Sequence, residues 1–132
     1  MPSLKQIVEP IRFESDQLQL IDQLKLPSDE NWVSINTVEQ GADAIRDMVV
    51  RGAPAIGVTA AYSYALAFKT EDQSDARIKY VRNTLFNTRP TAVNLVWAID
   101  RMESKIKAYS KSYGMLYQYL LDEAKLIHEE DR

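Results

Sequence analysis

Cysteine is absent from all 132 residues. That excludes disulfides, thiolate metal sites and a cysteine nucleophile from this stretch of chain. It also fits a reducing compartment. Histidine occurs once, at His128. Basic residues are outnumbered, with 16 Lys and Arg against 19 Asp and Glu for a net charge of −3. Surfaces that bind nucleic acid are normally basic, so this balance argues against that partner. Long apolar runs are missing too. The most apolar segment, Ala53 to Phe68, is shorter than a membrane span and contains Thr59, Tyr62, Ser63 and Tyr64. The opening MPSLKQIVEPIRF lacks the apolar core of a signal peptide. The expectation is a soluble, cytoplasmic protein with neither a membrane nor a nucleic acid as partner.

What is present suits one domain with a true core. Hydrophobic residues make up 45% of the chain and charged residues 27%. Near Thr37 the pattern changes. Before it, Ile11 and Phe13, then Leu18 and Leu20, alternate with polar residues around a polar turn at Glu14 to Gln17, which predicts a hairpin. WVSIN is a third candidate strand, preceded by the loop PSDEN. After Thr37 the period is helical. Thr37 and Gln40 fit a capping box, and Val38, Ala42, Ile45 and Val49 form one apolar stripe. Pro54 suits the first turn of a second helix. A third helix is expected from Asp72 or Ser74 to about Leu85. A fourth carries Ala92, Leu95, Val96, Ile99, Met102 and Ile106 on one face. After a break at Gly114, a fifth carries Leu116, Leu120, Ala124 and Ile127. The fold class is therefore α+β: a small antiparallel sheet of about three strands in residues 1–36, then a bundle of about five helices in residues 37–132.

Two loops hold arginines directly ahead of helices. In VRGAPAIG, Arg51 and Gly52 precede a helix rich in Ala55, Ala60, Ala61, Ala65 and Ala67, whose small side chains suit a buried, central position. A helix N-terminus offers unpaired N–H groups and a positive dipole end, which together favour an anion such as phosphate. Gly52 permits a tight turn, and the Arg51 guanidinium matches phosphate oxygens. NTRPTAVNLVWA repeats the arrangement with Arg89, with Pro90 at the entry and Thr91 as a candidate N-cap. Each loop taken alone also reads as an ordinary turn with a solvated arginine. Two such loops in one acidic domain suggest convergence on one anion, and Asn87 and Asn94 offer neutral hydrogen bonds nearby. The remaining candidates read as structural. His128 lies among Glu129, Glu130 and Asp131 and is expected to be a solvated surface residue. Glu123, Glu129, Glu130 and Asp131 have no partner at ligand spacing, so they read as a helix face rather than a metal site. Trp32 and Trp97 are expected in the core, and Tyr113, Tyr117 and Tyr119 in core and interface packing.

LIDQLKLP (Leu20 to Pro27), VRGAPAIGVTAAYSYALA (Val50 to Ala67) and TRPTAVNLVWAIDRM (Thr88 to Met102) together resemble the N-terminal part of the methylthioribose-1-phosphate isomerases. That family also includes ribose-1,5-bisphosphate isomerases and the regulatory subunits of the translation-initiation exchange factor, initiation factor 2B. The DQ-x-K-LP segment and the RPTA loop look more like the isomerase branch. The resemblance implies an aldose–ketose isomerase, an intramolecular oxidoreductase, acting in methionine salvage on 5-methylthioribose 1-phosphate without a metal or nucleotide cofactor. It implies a homodimer whose subunits add a Rossmann-like C-terminal domain to a sheet-and-helix N-terminal domain. It assigns substrate contacts to Arg51, Gly52, Ala53 and Arg89. It places the catalytic cysteine and aspartate in the C-terminal domain, so no catalytic residue is expected in these 132 residues, which read as one piece of a longer polypeptide. The alternatives are a non-catalytic module like the regulatory subunits, or an isomerase of ribose 1,5-bisphosphate.

Overall fold

The computed structural model describes residues 11–22, 31–50 and 52–131. Arg51, the DQ-x-K-LP segment after Asp22 and nearly all of PSDEN lie outside the described residues. The order is β1 (Ile11–Glu14), β2 (Gln17–Ile21), β3 (Trp32–Ile35), α1 (Val38–Arg46), α2 (Ala53–Leu66), α3 (Asp75–Phe86), α4 (Val93–Lys107), a 3₁₀ turn (Lys111–Tyr113) and α5 (Leu116–Asp131). The α+β expectation holds: a three-stranded antiparallel sheet is followed by five helices.

The hairpin closes over two residues, with Glu14 opposite Gln17. Ser15 and Asp16 both take positive φ, 53° and 60°, the geometry that matches a two-residue turn to the twist of its strands. β2 is the central strand. Its Leu18 faces Ile35 and its Leu20 faces both Ile11 and Val33, so the alternating apolar residues lie on the face that meets the helices.

The capping box at α1 forms with a shift of one residue. Thr37 Oγ1 accepts from the Gln40 N–H at 3.1 Å, while Gln40 Oε1 accepts from the N–H of Asn36 rather than of Thr37, at 2.7 Å. The helix ends at Arg46, so Val49 lies beyond it rather than on its stripe. The stop is a Schellman motif: Met48 N–H donates to Ile45 O and Val49 N–H to Ala44 O, with Met48 in the left-handed region at φ 64°.

α2 is the pillar of the fold. Every residue from Ile56 to Leu66 is buried, because α4, α5, α1, α3 and the sheet all pack on it. Its small residues permit the close crossings. A Cβ on Gly41 of α1 would fall 1.9 Å from Ser63 Oγ, and one on Gly57 would fall 3.3 Å from the Asn94 carbonyl of α4. One apolar cluster runs from Leu18, Leu20 and Ile35 through α2 to Leu95, Ile99 and Met102 on α4 and Leu120, Ala124 and Ile127 on α5. α3 starts on Ser74, whose Oγ accepts from the Arg77 N–H, and the Arg77 guanidinium donates to Ala67 O at the C-terminal end of α2. The first turn of α5 is capped from a distance: the Glu71 carboxylate accepts from the N–H groups of Leu116 and Tyr117 at 2.8 and 2.7 Å.

Three aromatic expectations and one for histidine change. Trp97 is exposed on α4, and Trp32 is half-buried with the Arg12 guanidinium 3.8 Å above its ring. Tyr113 is exposed and stacks on half-buried Tyr119. His128 is buried, not solvated. Its Nδ1 lies 2.8 Å from the Tyr62 hydroxyl of α2, and Phe13 of the hairpin stacks on Tyr62. Burial follows from position: His128 is one turn after Ala124, on the stripe that α5 turns toward α2.

Candidate functional site

Two of the five helices begin on residues whose side chains cannot cap them. α1 and α3 start on Thr37 and Ser74, each of which accepts a first-turn N–H, and α5 has Glu71. α2 starts on Gly52 and α4 on Ala92, and neither makes a side-chain cap. Thr91 is therefore not the N-cap that the sequence suggested; the cap falls one residue later, where the Ala92 carbonyl accepts from Leu95 and Val96.

These two starts open on the same cleft. It has a volume of about 390 Å³ and is lined by Pro54, Gly57 and Val58 of α2, Val93, Asn94 and Trp97 of α4, and Ile127, Glu130 and Asp131 of α5. The first turns come together because Gly57 lets α2 approach the backbone of α4 at Asn94. Ala53 and Ala55 have no carbonyl one turn earlier inside α2 to bond, and Pro54 between them has no N–H to offer. Gly52 holds the entry at φ 90°, ψ 136°, a backbone shape that side-chain-bearing residues rarely adopt. Gly52, Ala53 and Pro54 are all exposed.

The sequence-derived site residues are thus partly united. The first turns of both motifs share the cleft. Gly52 and Ala53 directly precede Pro54 on its edge. Arg89 is half-buried in the loop before α4, its carbonyl accepting from the Ala92 N–H, and it is not among the residues that line the cleft. Arg51 lies outside the described residues. Asn94 is at the cleft, whereas Asn87 is exposed at the end of α3. Sequence reasoning missed the α5 wall and Trp97. The signal for Trp97 was available: it lies about 200° round the helix from Leu95 at 100° per residue, away from the core stripe.

The cleft combines an apolar wall of Val58, Val93, Trp97 and Ile127 with two helix starts and two carboxylates. Among the described residues no group of three or more His, Asp or Glu side chains is placed to hold a metal ion, and no helix is long and apolar enough to cross a membrane. A second cleft of about 370 Å³, beside Tyr62 and His128, is ringed by Arg12, Glu14, Lys125 and Glu129. Among the described residues no helix start lines it.

Fold and cleft together define an α+β domain with a cleft at two helix starts that lack side-chain caps. Residues 49–132 match the model of the initiation factor 2 subunit family, and the chain belongs to that family. Among curated proteins, the methylthioribose-1-phosphate isomerase of Thermosipho africanus is 46% identical over 126 residues, which cover 92% of this chain and 36% of that protein. That of Aquifex aeolicus is 48% identical over 103 residues, covering 78% and 22%. Among solved structures, 5-methylthioribose 1-phosphate isomerase from Pyrococcus horikoshii superposes with a TM-score of 0.82 at 30% identity, covering 95% of this chain and 37% of that one. Translation initiation factor eIF-2B subunit delta from A. fulgidus gives 0.80 at 35% identity, covering 94% and 37%. The chain spans about a third of the length of Thermosipho africanus and Pyrococcus horikoshii proteins that it matches.

Proposed function

We propose that this chain is the N-terminal, substrate-phosphate-binding part of a 5-methylthioribose 1-phosphate isomerase. The observation that carries the reading is that the two helix starts without side-chain caps, one from each arginine motif, open on one cleft. The isomerase names of the curated relatives support the substrate class. In this reading the N–H groups near Gly52 and Ala53, together with Arg51 and Arg89, hold the phosphate. The apolar wall of Val58, Val93 and Trp97 suits the thioether end of the sugar. Residues 1–36 and 37–132 act as the sheet and helical parts of one N-terminal domain, completed by a Rossmann-like C-terminal domain in a cytoplasmic homodimer.

The chemistry explains why the phosphate must be gripped. It sits on the anomeric carbon and locks the ring, so the ring oxygen must be protonated and the ring opened before hydrogen moves from C2 to C1. The acid–base groups for those steps belong to the C-terminal domain in this reading. This chain orients the sugar and stabilises charge near C1. Losing one charge-assisted contact costs about 1.5–3 kcal/mol, or roughly ten- to a hundredfold in affinity. In the full-length protein, Arg51→Ala and Arg89→Ala should each raise KM by that order with the fold intact. Steady-state kinetics unchanged in both variants would overturn the assignment.

A regulatory, non-catalytic role is favoured by one observation, the likeness to the eIF-2B delta structure. The sequence of the full-length protein discriminates: a cysteine and an aspartate in the isomerase pattern favour the enzyme, and their absence favours the regulator.

A further inference from the structure

Two carboxylates, Glu130 and Asp131, line a cleft that the first turns of α2 and α4 also line through Pro54, Val93 and Asn94. A free carboxylate there repels the anion that the helix starts attract. Glu130 is not free. Arg101, from the middle of α4, grips it with both terminal nitrogens: Nη1 donates to Oε1 at 2.7 Å and Nη2 to Oε2 at 2.8 Å. The same guanidinium donates from Nε to Glu123 Oε2 at 2.6 Å and lies 5.4 Å from the centre of the Trp97 ring. Trp97 and Glu130 both line the cleft, and Arg101, which is not among the lining residues, pairs with Glu130 and lies over the Trp97 ring. The fork-to-fork pairing fixes geometry as well as charge. Consistent with it, the hydrogen bonds from Arg101 hold the Glu130 carboxyl below the usual glutamate range.

We infer that Arg101 is a positioning residue for anion binding: it cancels the Glu130 charge at the cleft and steadies the indole of Trp97 against the cleft wall. The inference rests on the phosphate reading above. Without Arg101, Glu130 stands as an unpaired carboxylate facing the ligand. Repulsion across a partly solvated cleft is worth roughly three- to tenfold in affinity. Glu123 keeps a second cation in Lys105, at 3.8 Å, so its own burial is not left unopposed.

The test measures KM for 5-methylthioribose 1-phosphate and the competitive Ki of inorganic phosphate in the full-length protein. Arg101→Met should raise both three- to tenfold with little change in kcat. Adding Glu130→Gln to that variant restores the net charge and should bring both back. Glu130→Gln alone should lower both. A loss in Arg101→Met that Glu130→Gln does not repair would assign Arg101 a merely structural role and overturn the inference. So would weaker phosphate binding in Glu130→Gln alone, a result that does not depend on the Arg101 variant folding. Kinetics of Arg101→Met equal to wild type overturn this inference and leave the phosphate reading standing. A wild-type protein insensitive to phosphate removes both.

Discussion

Gly52 is the position where backbone shape and proposed binding can be separated from side-chain packing. It holds φ 90° and ψ 136° at the start of α2, and a Cβ added there would meet nothing within 4 Å. Gly52→Ala therefore introduces no clash with the rest of the fold; its cost is local backbone strain, about 1–3 kcal/mol. The stiffer unfolded chain returns about 0.4–1 kcal/mol, and the middle of both ranges gives an expected net loss of about 1–2 kcal/mol. A chain of 132 residues has an unfolding entropy near 0.28 kcal/mol/K, from roughly 2.1 cal/mol/K per residue. The melting temperature should then fall by about 4–7 °C, read by far-UV circular dichroism. If the backbone instead relaxes toward negative φ, the first turn of α2 is displaced at the edge of the cleft that Pro54 lines. In that event phosphate, added as a stabiliser, should raise the melting temperature less than it does in wild type. A Gly52→Ala protein that melts within a degree of wild type, with the same phosphate response, would refute the account of this turn.

Two further outcomes follow from the packing and the charges. Gly41→Ala drives a Cβ into Ser63 at the crossing of α1 and α2, and should destabilise the fold by about 1–3 kcal/mol, the usual range for overpacking; Gly41→Ala combined with Ser63→Gly should recover most of it, and failure to recover in chemical denaturation would mean the crossing is not limited by that pair. Burial works to raise the Glu103 carboxyl, but hydrogen bonds from Lys107 and Arg82 at 3.0 Å each outweigh it and leave it below the ordinary value. A depressed carboxyl stabilises the fold above its unfolded value and loses that contribution as pH falls through the folded one. Stability should therefore hold from neutral pH to about 5 and decline below roughly 4.3, the unperturbed glutamate value, and Glu103→Gln should flatten part of that acid limb; an identical acid limb in the variant counts against the pairing.

Much of this arrangement was legible because the sequence speaks in local rules. Alternation gave the hairpin and Thr37 and Ser74 gave the helix starts. The alanines of α2 signalled a helix buried all round, as it is. The misses have physical causes. Met48 occupies a left-handed stop that glycine normally marks, so the end of α1 carried no visible signal. The acidic neighbours of His128 in sequence point to a solvated residue, whereas the helical period puts it one turn past Ala124 on the buried stripe. Trp97, expected in the core, faces away from the stripe of Leu95, Ile99 and Met102 and is exposed. The cleft itself needed two motifs some 40 residues apart and a third wall from α5, and only the tertiary crossing at Gly57 brings them into one place.

The cap that Glu71 places on α5 ties the spacing of one loop to the shape of a distant cavity. α5 supplies Ile127, Glu130 and Asp131 to the cleft, yet its first turn is seated by a residue 45 positions earlier in the chain. The first turn of a helix has N–H groups with no partner inside the helix, and here a carboxylate distant in sequence supplies it. The short connection after α2, around Glu71, is thus a fixed ruler rather than a tolerant surface loop. Inserting a residue between Phe68 and Glu71 would reach the cleft wall at the far end of α5 without touching any residue that lines it.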